Sequence, residues 1–197
     1  MGNEVSVPIE VSARHIQLSY DDTVKLFGKG YKFSKLRSLS EEKRYACNET
    51  VSITTPKRSL EDVRIIGPTV DQTRVELSRS DAVQLGINPP IRMSKSIDLQ
   101  GTPGLRVVGP QGSILLKQGV IIPKRHIHVD PSDALKFHLR DGNNVRVKIE
   151  GIRALVFDQV LILVEENMPF VLHLDVDEAN AAAVYGSPSY GTVLAEK

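Results

Sequence analysis

Apolar residues in this chain come in short runs, separated by polar or glycine- and proline-rich turns. Val51–Thr54, Val63–Ile66, Arg74–Leu77, Leu105–Val108, Ser113–Leu116, Val145–Ile149, Ala154–Phe157, Val160–Val164 and Phe170–Leu174 are rich in β-branched residues and read as strands. Gly109-Pro110-Gln111-Gly112 and Asp141-Gly142-Asn143-Asn144 read as turns. Helices are expected only as short pieces, at 20–27, 79–85, 131–138 and 177–184. Many short strands with short helical caps predict a mainly β fold of small barrels or sandwiches. The Pro-, Gly- and Ser-rich stretch 88–104 is the candidate linker.

The pattern repeats. Residues 11–26 read VSARHIQLSYDDTVKL and residues 122–137 read IPKRHIHVDPSDALKF. At a constant offset of 111, Arg14/Arg125, His15/His126, Ile16/Ile127, Asp22/Asp133 and Lys25/Lys136 are identical. Each copy predicts an apolar strand, Arg-His-Ile, a polar turn and a helix, with Ser19 and Asp130 as N-caps and Pro131 in the first helical turn. A weaker echo relates ELSRSDAV at 76–83 to HLDVDEAN at 173–180, which puts Glu76 and His173 in equivalent places. Two such halves predict a site built between pseudo-symmetric copies.

His126-Ile127-His128 is the sharpest chemical feature. In a strand, residues i and i+2 point to one face, so both imidazoles can reach one cation, which suits zinc. His173 alternates with apolar residues in a strand of its own. The plainer alternative is surface strand histidines with ordinary hydrogen bonds. His138 has no such support and reads as a helix-surface residue.

Composition narrows the field. A net charge of +1 and the absence of Trp argue against nucleic-acid binding. The longest compact apolar run, Val160–Val164, is far short of the roughly 20 residues that span a bilayer. Cys47 is the only cysteine, so no intrachain disulfide forms, and with no apolar signal region near the start a cytoplasmic location is expected. The sequence leaves the oligomeric state open, a homodimer included.

Several blocks together resemble the PduL-type phosphate propanoyltransferase family. They are Val11-Ser12-Ala13-Arg14-His15, Val63–Pro68, Val75–Ser78 with Asp81-Ala82, Gly119–Ile122 followed by Arg125–His128, and the DVDEANAA run after His173-Leu174. The resemblance covers residues 7–185 in order. It implies reversible conversion of acyl-CoA and phosphate into acyl phosphate and CoA. It implies two small β-barrels with short helical caps and the active site between them, residues 4–13 plus 118–190 forming one barrel and 14–117 the other. It also implies two metal ions, usually zinc. One would be held by His126, His128, His173 and Glu76, the other by His15, residue 17 and Glu76. Ser12, Arg64 and Asn180 match the family's CoA contacts, Arg37 replaces a family lysine there, and Arg92 matches an arginine near the site. Lys95 stands where that loop has glycine in the family.

Two departures fall on one half of the implied site. Residue 17 is Gln instead of His, so the second metal site is weakened. Val70 replaces the arginine associated with phosphate. Arg74, on the expected strand leading to Glu76, is the candidate replacement: a regular strand would put residues 70, 72, 74 and 76 on one face. Three readings follow: a phosphate acyltransferase, a non-catalytic acyl-CoA-binding metal protein of the same fold, and an enzyme with another acyl acceptor.

Overall fold

Alternation along the strands sorts the apolar residues into two separate cores, each under its own sheet. The computed structural model describes residues 5–41, 43–93, 99–185 and 189–194. The chain runs through β1 (Val5–Ser12), β2 (His15–Gln17), α1 (Tyr20–Phe27), β3 (Lys35–Ser38), β4 (Tyr45–Thr54) and β5 (Ser59–Gly67). It continues through β6 (Arg74–Glu76), α2 (Arg79–Leu85), β7 (Ile91–Arg92), β8 (Leu105–Val108), β9 (Ser113–Leu116) and β10 (Val120–Pro123). The last part holds β11 (His126–Val129), α3 (Pro131–Lys136), β12 (Asn144–Ile149), β13 (Leu155–Val164), β14 (Val171–Asp175), α4 (Val176–Ala181) and β15 (Tyr190–Leu194).

Unit 1 takes the described residues of 1–12, 40–42 and 124–197, and unit 2 those of 13–39 and 43–123. Unit 1 is a closed six-stranded barrel in the order β1-β14-β11-β13-β12-β15. Closure leaves no strand edge in that barrel. Unit 2 is a curled sheet, β7-β10-β6-β2-β5-β4-β8-β9, with β3 added to β4. The expected mainly β class therefore holds, and only one of the two sheets closes: the other ends at the two-residue β7 and at β9. Among the described residues, no helix is long and apolar enough to cross a membrane.

The repeat is visible in the strand pairing. In unit 2, β2 pairs antiparallel with β6 and parallel with β5. In unit 1, β11 pairs antiparallel with β14 and parallel with β13. The strand preceding each copy is exchanged. β1 leads into β2 yet pairs parallel with β14, opposing Glu10 to His173. β10 leads into β11 yet pairs parallel with β6, opposing Ile121 to Glu76. Residues 120–123, set with the C-terminal barrel by the boundary at 118, thus lie in unit 2, because β10 hydrogen-bonds to β6 and β7. Gly119 makes that entry possible: its φ is +121°, and a Cβ there would lie 2.8 Å from the Thr73 carbonyl oxygen.

The caps follow the predicted chemistry. Ser19 and Asp130 cap α1 and α3 by accepting from the N–H groups of Asp22 and Ser132. Ser78 and Asp175 open α2 and α4 with full capping boxes, closed by Asp81 and Glu178. Two helices stop earlier than expected. α3 ends at Lys136 because His138 takes the left-handed conformation at φ 58°, and α4 ends before Ala183 at φ 53°. The expected break between Phe157 and Val160 is a bulge inside β13, with Gln159 at φ 56°. The candidate linker 88–104 contains β7, and its residues 94–98, Lys95 among them, lie outside the described residues.

Candidate functional site

In unit 1, strand alternation sends Ile127, Val129, Leu172 and Leu174 into the barrel core. Their neighbours His126, His128 and His173 therefore share the opposite face. The antiparallel register sets His126 directly against His173. All three histidines are buried, and their ligand atoms lie within 4.8 Å of one another. The His126 and His173 rings stack at 5.0 Å, and His128 stands nearly perpendicular to both.

Nitrogen orientation favours a cation. His126 Nδ1 lies 2.8 Å from the Lys124 carbonyl oxygen, to which it can donate, leaving the Nε2 lone pair as the donor atom. His128 Nδ1 lies 3.3 Å from Glu165 Oε2, the carboxylate–histidine arrangement that orients a metal-binding imidazole. The Nε2 atoms of His126 and His128 are 3.1 Å apart. Bonds of about 2.0–2.1 Å in a tetrahedral zinc site place two nitrogens about 3.3 Å apart, so the spacing fits. Glu165 escaped the sequence reading because Glu165-Glu166 looks like a solvated acidic pair. The signal lay in its place directly after Val164, which the parallel β11/β13 register sets against Val129.

Unit 2 repeats the register with other side chains. Ile16, Leu18, Val75 and Leu77 enter its core, and His15, Gln17, Arg74 and Glu76 share the opposite face. His15 is set against Glu76, and Gln17 against Arg74. His15 Nδ1 lies 3.0 Å from the Ala13 carbonyl, matching His126 with Lys124. His15 Nε2 lies 3.5 Å from Glu76 Oε2. Burial pulls the His15 pKa down, but the Glu76 carboxylate and the Ala13 carbonyl outweigh it, and the net shift is upward. The Arg74 guanidinium donates to Gln17 Oε1.

The expected strand from Val70 to Glu76 is not regular. β6 begins at Arg74, and Val70 instead bridges Ser19 and donates its N–H to the Leu18 carbonyl. The intervening bend at Asp71 and Gln72 takes Val70 out of the row shared by Arg74 and Glu76.

The two halves also share a brace. Arg14 pairs with Asp81 at 2.9 Å, and Arg125 pairs with Glu178 at 2.6 Å. Each arginine precedes the repeated histidine, and each acid closes the capping box of the helix after the partner strand. Even with Arg125 beside it, Glu178 is pushed upward in pKa, because burial outweighs the ion pair.

The remaining expected residues are spread over both units. Ser12 ends β1, opposite Asp175, and Asn180 is exposed on α4. Arg64 on β5 opposes His15, and its guanidinium donates to the Cys47 and Asn48 carbonyls at 3.0 and 2.8 Å. Arg37 is exposed on β3, and Arg92 is half-buried on β7. Cys47 is buried, and burial first, then the Glu49 charge, raise its pKa to about 11. That thiol is no nucleophile near neutral pH.

Residues 8–185 match the family described as phosphate propanoyltransferase. Curated relatives carry the same name. The protein of Thermotoga maritima is 46% identical over 180 residues, covering 91% of this chain and 85% of its own. That of Clostridioides difficile is 42% identical over 190 residues, covering 96% and 88%. That of Citrobacter koseri is 44% identical over 192 residues, covering 97% and 90%.

Proposed function

The chain belongs to the phosphate propanoyltransferase family, and from that premise we propose that it interconverts acyl-CoA plus phosphate with acyl phosphate plus CoA. The observation that carries the reading is the buried His126–His128–His173 cluster in a chain that matches the family over nearly its whole length. The name its relatives share makes propanoyl-CoA the first acyl donor to test.

In the forward direction a phosphate oxygen attacks the thioester carbonyl. A C–O bond forms, the C–S bond breaks, and CoA leaves as a thiolate that takes up a proton. Three imidazoles suit zinc, and a zinc ion held by His126, His128 and His173 would supply Lewis-acid polarisation there. The protein's own contribution is to set the donors. The Lys124 carbonyl holds the His126 ring by its Nδ1 atom, and the Glu165 carboxylate lies beside His128 Nδ1. Ser12, Arg37, Arg64 and Asn180 are assigned to CoA on the strength of the resemblance. The backbone carbonyls of β4 hold the Arg64 guanidinium in a fixed orientation. Arg92 is assigned to the anionic end of the substrate. Cys47, buried and raised in pKa, is not the acyl acceptor, and phosphate attacks the thioester directly.

The test is thiol release from propanoyl-CoA with and without inorganic phosphate. Release that depends on phosphate is expected. Release at the same rate without phosphate would assign another acceptor, and no release under either condition would assign a non-catalytic role.

A further inference from the structure

The polar face of β2 and β6 carries His15, Gln17, Arg74 and Glu76 in the register that, in unit 1, carries the histidine cluster. We propose that this face is not a metal site: the Arg74 guanidinium, held by Gln17, supplies the positive charge there and binds the phosphate group of the acyl-transfer reaction. The inference rests on the acyltransferase reading above and names the group that recognises the acceptor.

The donor set does not fit a second metal. His15 and Glu76 face each other, and the neighbouring side chains on the same face of this strand pair are those of positions 17 and 74. Position 17 offers an amide oxygen, and that oxygen accepts the Arg74 N–H. Position 74 offers a guanidinium, which stays protonated and cannot ligate. A divalent ion drawn to Gln17 would meet a fixed positive charge, and the two repel strongly away from bulk water.

The same geometry suits an oxyanion. A guanidinium presents its N–H groups as a rigid fork that matches phosphate. Gln17 is almost wholly buried, at 2% exposure, so its amide has little freedom to turn away. Because the amide is neutral, it fixes the plane of the guanidinium without cancelling its charge. A carboxylate at position 17 would orient Arg74 equally well and would quench it. Gln17 is therefore the positioning residue and Arg74 the group that touches phosphate.

Two independent readouts test this. Elemental analysis of the purified wild-type protein should give one tightly held metal ion per chain. The double variant Gln17→His/Arg74→Gln should gain a second. Separately, calorimetric titration with inorganic phosphate should show binding that Arg74→Ala weakens about ten- to a hundredfold, the loss of a charge-assisted contact. Arg74→Lys, which keeps the charge but loses the fork, should fall between. Gln17→Glu should weaken phosphate as much as Arg74→Ala, and Gln17→Leu by less. In turnover these variants should raise the phosphate KM and leave the acyl-CoA KM unchanged, a split that a merely structural role would not produce. Two metal ions in the wild type, no gain in the double variant, or unchanged phosphate affinity in Arg74→Ala would overturn the inference. Absence of turnover in the wild type would count against the acyltransferase reading alone, since phosphate binding and metal content are measured without it.

Discussion

In unit 1, His126 faces His173 across β11 and β14. In unit 2, His15 faces Glu76 across β2 and β6. Backbone pairing, flanking arginine, capping-box acid and the carbonyl two residues before the histidine are repeated in both. The side chains that fill the shared frame are not. One face collects three imidazoles, and the other collects an imidazole, an amide, a guanidinium and a carboxylate. Register thus fixes which positions converge, and one or two side chains then decide whether the converging groups are all neutral donors or include a cation of their own.

The largest expected contrast lies in the histidines. His126→Ala or His173→Ala should strip the metal and lower kcat/KM on the order of a thousandfold, the size of several kcal/mol of lost Lewis-acid stabilisation. His15→Ala should leave metal content unchanged. Elemental analysis of the three variants checks both halves of this statement, and loss of metal in His15→Ala would break the comparison.

Next come the two braces. Arg125 also donates to the Asp158 carbonyl and lies 5.4 Å from the Phe157 ring centroid, contacts without a counterpart at Arg14 among the described residues. Arg125→Ala should cost about 2 kcal/mol and Arg14→Ala about 1 kcal/mol, each leaving a shielded carboxylate without its arginine. Urea melts of the two variants give the order, and equal costs would show that the extra contacts of Arg125 add nothing.

The smallest effect concerns the start of α1. Thr73 Oγ1 accepts the Ser19 N–H at 2.9 Å and donates to Asp22 Oδ2 at 2.7 Å. The corresponding cap in unit 1 is tied by the Asn167 N–H, donated to Asp130. Thr73→Val should cost about 1 kcal/mol at neutral pH. Burial acts to raise the Asp22 pKa, but the Thr73 hydroxyl and Lys25 outweigh it and hold it below 3.8. A depressed carboxylate contributes stability above its unfolded pKa and loses it as pH falls through the folded value. The cost of Thr73→Val should therefore shrink below pH 3.8, as melts at neutral and acid pH would show.

Much of this was legible from residue types alone. The offset that relates Arg14-His15-Ile16 to Arg125-His126-Ile127 announced the repeat, and the i, i+2 spacing announced the histidine face. Ser19 and Asp130 announced their helices, because capping is local chemistry. What stayed hidden was non-local. Nothing in the sequence around Gln17 says that Arg74 lies across from it, since that depends on antiparallel pairing across a helix and three intervening strands. The bend at Asp71 and Gln72 hid where β6 begins and made Val70 look like a member of its row. The strand exchange was legible for β1 only through resemblance, and for β10 not at all: a run such as Val120–Ile122 is apolar enough for either sheet. β3 was missed because Lys35–Ser38 carries a single apolar residue, and β15 because Gly191 interrupts the short run Tyr190–Leu194.

The central claim, acyl transfer between CoA and phosphate, is tested most directly in reverse. Propanoyl phosphate and CoA are mixed with the metal-loaded protein, and thioester formation and inorganic phosphate release are followed together. The account predicts that both appear, in equal amounts, and that both fall on the order of a thousandfold in His126→Ala. Phosphate release with no thioester would make the protein a hydrolase and contradict the account.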